Sequence, residues 1–321
     1  VNKLTILVGP PGSGKSSFAA TLEAQGYLRI SQDEMGKEHL NLFHSHIATG
    51  RDIVVDRMGF DKQQRNRYRL EAIKNGYTVN LVEFVVPRQV CYDRCMAREN
   101  HPTINGLSIF NGEARSGTAS SIEEMKQQIE LIRQEQNAAK AKSANNALNC
   151  YFSRYEEITE DEGELLRIQY NAPEKSDAIM VDIDGTLANL DHRLHYVKDG
   201  NRDWGSFFRT VGKDGVYEDV KGIVDLEFLT GTSVVLCSGR TEDQTRENTE
   251  KWLVKNEIPY TSLKMRPAGN YKQDAITKAM LYRYEIKPYF NIKYVLDDRD
   301  QVVQKWREMG LTCFQVRPGN F

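Results

Sequence analysis

The chain lacks any apolar run long enough to cross a bilayer, and its N-terminus lacks the basic, apolar and small-residue pattern of a secretory leader. Both absences predict a cytoplasmic protein with no membrane partner. Cysteine is scarce: Cys91, Cys95, Cys150, Cys237 and Cys313 are odd in number and scattered, which excludes a disulfide framework and predicts reduced thiols. Cys91 and Cys95 stand one helical turn apart without a matching second pair, so buried thiols are expected rather than a metal site. Net charge is also nearly absent, at −2. A globally basic surface is excluded, and any contact with nucleic acid must come from local patches. The 321 residues, 40% hydrophobic and 27% charged, suit a globular chain of two domains.

What is present begins with AIMVDIDGTLAN, Ala178 to Asn189. An apolar strand runs into two aspartates one residue apart. A strand repeats every two residues, so Asp182 and Asp184 leave its C-terminal end on the same side. Gly185 lets the chain turn, and Thr186 offers a hydroxyl to a phosphate oxygen. Two carboxylates can divide nucleophilic and acid/base work when their surroundings hold one ionised and the other protonatable. The string resembles the phosphatase motif of the haloacid dehalogenase superfamily. That resemblance implies attack on phosphorus by Asp182 and protonation of the leaving oxygen by Asp184. The plainer alternative is a strand ending in a solvated turn.

Three further strand ends follow, all expected at the C-terminal edge of a parallel sheet. In SVVLCSGR, Ser238 could hold a phosphate oxygen, and Arg240 could contact the substrate phosphate as a fork. In MRPAGNYKQDAITK, Asp274 and Lys278 are one helical turn apart, so Lys278 could bridge the nucleophile and the phosphate while Asp274 fixes it. In YVLDDR, Asp297 and Asp298 suit Mg²⁺ together with Asp182 and Asp184. A metal there lowers the repulsion between an anionic nucleophile and an anionic phosphate. Singly, these read as a turn, an exposed ion pair and a helix cap. The segment after the nucleophile strand, Tyr196 to Glu218, carries Trp204, Phe207 and Phe208, expected in a small core.

The N-terminal half opens with the strand LTILV and then GPPGSGKSS, Gly9 to Ser17. Strand, glycine-rich loop and helix in that order form the context a phosphate-binding loop requires. The backbone N–H groups of Gly9, Gly12, Ser13, Gly14 and Ser17 can converge on phosphate oxygens at a helix N-terminus. Lys15 reaches the β- and γ-phosphates, and Ser16 holds Mg²⁺. In RISQDEM, Asp33 either deprotonates an acceptor hydroxyl or caps a helix. Asp56, ending DIVVD, is a Walker-B-like carboxylate or a turn residue. Residues 57 to 74 hold Arg57, Lys62, Arg65, Arg67, Arg69 and Lys74 against Asp61 and Glu71, ordinarily a solvated helix face. Arg94 and Arg98, four apart on the helix after a fourth strand, could clamp the transferring phosphoryl group.

The middle is less informative. Ser120 or Ser121, followed by Glu123 and Glu124, resembles a capping box, and a long exposed helix is expected from Ile122 to about Leu148. EEITEDEGE, Glu156 to Glu164, puts six acids in nine residues and is read as a solvated linker.

The order of a Walker A loop, Asp33, Asp56, an Arg-x-x-x-Arg lid and a C-terminal DxDGT unit resembles the phage-type bifunctional polynucleotide 5′-kinase/3′-phosphatase family. The likeness is closest over residues 178–321, where Arg193 in ANLDHRLHY, the SGR, the D-x-x-x-K spacing and DDR followed by QVVxxWR all match. It implies an α/β chain. A P-loop kinase domain occupies residues 1–150, a linker 151–175, and a haloacid dehalogenase-like phosphatase domain with a small cap 176–321. It further implies ATP and Mg²⁺ at Lys15 and Ser16, Asp33 activating the 5′-hydroxyl, and Arg94 and Arg98 on the donor phosphates. In the second domain it implies an aspartyl-phosphate on Asp182 and substrate contact by Arg193. The expected partners are RNA or DNA ends and a polynucleotide ligase, with a homo-oligomer possible and, for a phage-encoded chain, the host cytoplasm as location. Two departures stand out: Gly36 replaces the family's Arg after the base, and Arg57-Met58 replaces Thr-Asn. The rival readings are a nucleoside or nucleotide kinase fused to a small-molecule phosphatase, and a non-catalytic nucleotide-binding scaffold.

Overall fold

The computed structural model describes residues 1–98, 122–198, 200 and 203–319, and divides into two units, Val1–Tyr170 and Asn171–Phe321. The expected capping box at Ser120 or Ser121 lies outside the described residues.

The first unit runs β1 (Lys3–Val8), α1 (Lys15–Ala24), β2 (Leu28–Ser31), α2 (Gln32–Met35), α3 (His39–Ile47), β3 (Ile53–Asp56), α4 (Lys62–Lys74), β4 (Thr78–Val85), α5 (Arg88–Ala97), α6 (Ile122–Arg154) and β5 (Glu164–Gln169). The strands form one parallel sheet in the order β2-β3-β1-β4-β5. Leu4, Ile6, Leu7 and Val8 of β1 and Ile53, Val54 and Val55 of β3 are all buried, as continuous apolar runs should be when helices cover both faces. The chain reverses direction in strand order around β1, so the loop after β1 opens at a crevice of the sheet edge.

Residues 151–170 differ from the linker expected there. They finish the first unit: β5 pairs with β4 from Asn80↔Glu164 to Val85↔Gln169. The acidic run and the basic run, each read alone as solvated, meet one another. Arg65 is fully buried and lays its guanidinium on Glu162, Nε to Oε2 at 2.6 Å and Nη2 to Oε1 at 2.8 Å. Lys62 bonds Asp161 at 2.9 Å, and Arg69 donates to the carbonyls of Asp161 and Glu162. α6 also runs six residues past its expected end, because Ala144, Leu148, Tyr151 and Phe152 supply a buried stripe late in the helix.

The second unit runs β6 (Ser176–Val181), β7 (Ala188–Asn189), α7 (Trp204–Arg209), β8 (Gly215–Val216), α8 (Glu218–Leu229), β9 (Ser233–Thr241), α9 (Glu242–Lys255), β10 (Ser262–Arg266), α10 (Asp274–Leu281), β11 (Phe290–Arg299), α11 (Asp300–Glu308) and β12 (Cys313–Gly319). Its parallel sheet has the order β10-β9-β6-β11-β12, and β7 and β8 form a small antiparallel pair. Alternate residues of β6 feed opposite cores. Ile179 and Val181 pack with Val234, Leu236 and Trp252, whereas Ala178 and Met180 pack with Val235, Val295 and Trp306. Phe207 lies in the first of these cores and Phe208 against it, as expected, while Trp204 is 47% exposed. Four of the five cysteines, including Cys91 and Cys95, are buried, and all five are free thiols.

Candidate active sites

In the first unit, the loop after β1 wraps a cavity of about 180 Å³. Gly12 and Gly14, with φ of +80° and +104°, adopt a backbone that side-chain-bearing residues avoid, and a Cβ on Gly12 would meet the Cys91 carbonyl at 2.4 Å. Arg94 donates to the Gly12 carbonyl at 3.4 Å, and Gly9 N–H to the Met58 carbonyl at 3.0 Å. Lys15 is 8% exposed and curls onto the loop, Nζ to the Pro10 carbonyl at 2.8 Å. Burial pushes its ammonium down to about 8, against the pull of Asp56. The Ser13 hydroxyl is buried without a hydrogen-bond partner among the described residues.

Lys15, Ser16, Asp33, Asp56 and Arg98 come together around this cavity with Gly12 and Gly14, whereas Gly9, Ser13, Ser17 and Arg94 do not line it. Asp33 does not cap a helix: Ser31 is the N-cap of α2, and Asp33 sits in its first turn facing the cavity. Arg94 and Arg98 do not share a helix face, because α5 stops at Ala97 and Arg98 is extended, with ψ 129°. Lys140 of α6 holds that end, donating to the carbonyls of Met96, at 2.8 Å, and Arg98. Asp56 is gripped by Arg29, Nη2 to Oδ2 at 2.6 Å, and Arg29 also reaches Glu34 at 3.0 Å. Arg57, Met58, Phe60 and Gln64 complete the wall, with Ser143 and Ala147 of α6.

In the second unit, Asp182 and Asp184 follow β6 but take different partners. Lys278 Nζ lies 2.6 Å from Asp182 Oδ1 and 3.1 Å from Asp297 Oδ2, with Asp274 at 3.6 Å, so α10 brings its lysine to Asp182. Ligand oxygens of Asp182, Asp297 and Asp298 all lie within 4.8 Å of one another. Burial and the neighbouring carboxylates Asp297, Asp298 and Asp274 push Asp182 well up, against Lys278. Burial opposes the Lys278 charge, but Asp182 and Asp297 outweigh it and hold the ammonium protonated. Burial and Asp297 bring Asp298 up to about 6. A buried trio of carboxylates with one ammonium is short of positive charge, which is the donor set of a hard divalent cation. The chain also closes tightly here, since a Cβ on Gly185 would meet Asp298 Oδ2 at 2.2 Å. Asp297 and Asp298 cap no helix: Arg299 is the N-cap of α11.

Asp184 departs from the expected metal set. Its carboxylate is held instead by Arg193 Nη2 at 2.6 Å and Arg240 Nη2 at 2.6 Å. Burial works against its charge, but the two guanidiniums hold it far below the usual carboxylate range. Both arginines are fully buried and also bond Asp214, at 2.7 and 2.8 Å. The Arg240 fork expected on the substrate phosphate therefore rests on carboxylates. Ser238, fully buried, accepts the Arg240 backbone N–H at 3.2 Å and shapes this turn. Asp274 faces Arg266 at 3.1 Å as well as Lys278.

Sequence reasoning missed Asp214. It lies between α7 and β8, in GKDG, where no pattern marks it, yet it closes a square with Arg193, Asp184 and Arg240 and takes a contact from His192 at 2.8 Å. Trp306, which donates Nε1 to Asp297 at 3.1 Å, was legible only as part of the QVVxxWR string.

A glycine cradle on one parallel sheet and an aspartate cluster on another define a P-loop unit followed by a haloacid dehalogenase-type unit. Residues 176–321 match the family described as the polynucleotide kinase PNKP phosphatase domain. The chain is 22% identical over 327 aligned positions to a putative bifunctional polynucleotide kinase/RNA ligase of Autographa californica nuclear polyhedrosis virus, over 98% of this chain and 42% of that protein. It is 32% identical over 111 residues to the Arabidopsis thaliana transcription factor bHLH140, over 30% of this chain and 12% of that protein. It thus spans less than half the length of either curated relative. Among solved structures it resembles a chain of a Pnkp1/Rnl/Hen1 complex, at 24% identity and a TM-score of 0.41, over 100% of this chain and 98% of that one. Residues 176–321 are therefore similar to PNKP phosphatase domains, and they follow a unit built on a glycine-rich phosphate-binding loop.

Proposed function

We propose that the chain heals nucleic-acid ends, transferring the γ-phosphoryl group of ATP to a 5′-hydroxyl and hydrolysing a 3′-phosphate. The observation that carries this reading is the pairing of opposite phosphoryl chemistries in one chain. One unit gathers Lys15, Ser16, Asp33 and Arg98 around a cavity, and the other gathers Lys278 and three carboxylates. Acting on one terminus, the two would cancel; acting on opposite termini, they yield the 5′-phosphate and 3′-hydroxyl that a ligase joins. The viral relative, a putative polynucleotide kinase/RNA ligase, supports a ligase as the next enzyme.

In the first unit, Lys15 neutralises the donor phosphates, Asp33 takes the proton of the acceptor hydroxyl, and Arg98 offsets charge on the transferring group. Ser16 would hold the Mg²⁺ of ATP. In the second unit, Asp182 attacks phosphorus as the bond to the sugar's 3′ oxygen breaks, water then cleaves the aspartyl-phosphate to release inorganic phosphate, and Lys278 steadies both the nucleophile and the incoming oxyanion. Asp182, Asp297 and Asp298 fit Mg²⁺, which when bound supplies charge neutralisation at the phosphate. Asp184 gives the leaving 3′ oxygen its proton and takes one from the attacking water, which it can do once an entering phosphate draws Arg193 and Arg240 off its carboxylate. The test is end-group analysis of RNA and DNA oligonucleotides carrying 5′-hydroxyl and 3′-phosphate, with ATP and Mg²⁺. The reading predicts label from γ-phosphate at the 5′ end and inorganic phosphate from the 3′ end. It fails if oligonucleotides react no better than free nucleosides and small phosphate esters.

A further inference from the structure

Among the described residues that donate to the Asp214 side chain, His192 alone is not a guanidinium. Asp214 Oδ1 accepts Arg193 Nε at 2.7 Å and faces His192 Nε2 at 2.8 Å. Its Oδ2 accepts Arg193 Nη2 at 2.7 Å and Arg240 Nη2 at 2.8 Å. These contacts fill the lone-pair sites that a carboxylate offers, and a carboxylate only accepts, so His192 Nε2 carries a hydrogen. The backbone beneath is pinned, with Trp252 Nε1 donating to the Asp214 carbonyl at 2.7 Å. Asp214 is therefore poorly able to follow a partner that moves away.

The arginines are partners that have to move. Each Nη2 has two hydrogens, and both are taken: Arg193 Nη2 serves Asp184 and Asp214, and so does Arg240 Nη2. A phosphate that captures these nitrogens takes them from Asp214 as well as from Asp184. The square of two carboxylates and two guanidiniums is neutral, whereas a phosphate monoester brings up to about two further negative charges. A buried carboxylate stripped of its cations is strongly unfavourable. His192 is the contact that stays. Its side chain is 37% exposed against 0% for Asp214, so it meets solvent protons while Asp214 is sealed. An imidazole is also the side chain whose charge changes near neutral pH. The charged groups around it are Asp191 beside it in the chain, Asp214 from the turn before β8, and across Asp214 the guanidiniums of Arg193 and, from β9, Arg240.

Resting on the phosphatase reading, we infer that His192 is a positioning residue for the 3′-phosphate: as an imidazolium it holds Asp214 when the phosphate draws Arg193 and Arg240 away. His192 touches Asp214, not the phosphate, and acts through the two guanidiniums. The proton it gains comes from solvent and stays on the ring.

The test measures phosphate release from an oligonucleotide with a 3′-phosphate, using the full chain and Mg²⁺, at pH 6 and pH 9. H192Q keeps an N–H for Asp214 but carries no charge. At pH 6 it is expected to raise KM at least about tenfold over the unaltered protein, the size of one charge-assisted contact, with the larger effect in KM rather than kcat. At pH 9 the two proteins are expected to agree within about twofold, because an imidazole is neutral there. The ionisation of the substrate is common to both proteins and cancels in the ratio. H192R, whose charge does not titrate, is expected to show a lower KM than H192Q at both pH values. An unchanged KM for H192Q at pH 6 overturns the inference. So does a KM that rises equally at pH 6 and pH 9, because that is loss of packing rather than of charge, and so does an H192R protein no better than H192Q. Absence of phosphate release by the unaltered protein would sink the phosphatase reading itself, an outcome distinct from release that ignores residue 192.

Discussion

The ammonium of Lys278 and the carboxylate of Asp182 approach to 2.6 Å in a place where both side chains are almost wholly buried. Asp297 lies 3.1 Å from the same ammonium. The lysine therefore balances more negative charge than it carries, and its removal leaves a buried carboxylate cluster with no cation of its own. On the proposed function, Lys278→Met is expected to lower 3′-phosphatase turnover by about 10²-fold or more, the scale of losing one preorganised oxyanion contact. The 5′-kinase rate of the same protein is expected to stay unchanged. Phosphate release and γ-phosphate labelling on one preparation check both halves, and parallel loss of the two activities would contradict the assignment.

Asp214 offers a test that sequence alone did not suggest. It is the second carboxylate under Arg193 and Arg240, and both guanidiniums are fully buried. Asp214→Asn leaves two buried cations sharing Asp184 alone. Breaking a buried charge cluster costs about 3–5 kcal/mol. Trp204, Trp252 and Trp306 are the three tryptophans of the chain and all belong to the second unit, so their fluorescence follows that unit. A denaturant midpoint by tryptophan fluorescence is expected to fall, with phosphatase activity, and Asp214→Glu to recover part of both. An unmoved midpoint would show that Asp214 is dispensable to the square.

Arg65 and Glu162 make the matching prediction for the first unit. Each is buried at the side chain, and Arg65 outweighs the burial that disfavours the Glu162 charge, holding the carboxyl below its usual range. A depressed carboxylate stabilises the fold above its unfolded value, and that contribution is lost as pH falls through the folded value. Arg65→Met is expected to destabilise the first unit by about 3–5 kcal/mol, and the double change with Glu162→Leu to recover most of it. Far-UV circular dichroism and heat inactivation of kinase activity should register the loss, while tryptophan fluorescence stays still.

How much of this was legible beforehand depends on distance along the chain. The glycine cradle and the aspartate strand end were readable because their residues are neighbours in sequence and their spacing is fixed by strand and turn geometry. Lys278 was readable because Asp274 stands one helical turn before it. Arg65 was not: its partner is Glu162, and a charged run looks solvated until the opposite run is known to lie against it. The placement of Asp184 failed for the same reason. Spacing put it beside Asp182, but buried arginines, one 56 residues away, decided where its carboxylate settles.

Lys15 supplies a pH test of the cradle. Burial brings its ammonium down to about 8, so near pH 9 much of the free protein carries a neutral amine. Phosphate oxygens favour the charged form. Binding of ATP is therefore expected to take up a proton near pH 9 and almost none near pH 6.5. Calorimetry at pH 9 in two buffers of different ionisation enthalpy should give different heats, and the difference should vanish in Lys15→Met. The sign for the free fold is the reverse of the acidic case: burying this lysine charged costs stability at neutral pH, and the cost fades as pH rises from about 8 to the ordinary lysine value of 10.5. Equal heats in both buffers at pH 9 would contradict a buried, proton-poor lysine.

The return of the chain at β5 bears on anyone who wishes to prepare the first unit alone. A fragment ended at Cys150 would drop Arg154, Glu162 and the whole fifth strand. It would bare the backbone of β4 from Asn80 to Val85, an unprotected apolar edge of the kind that recruits other chains. Scissors placed after Tyr170 keep that edge covered, so the useful boundary for cloning is set by a strand that arrives late rather than by the acidic stretch that looks like a hinge.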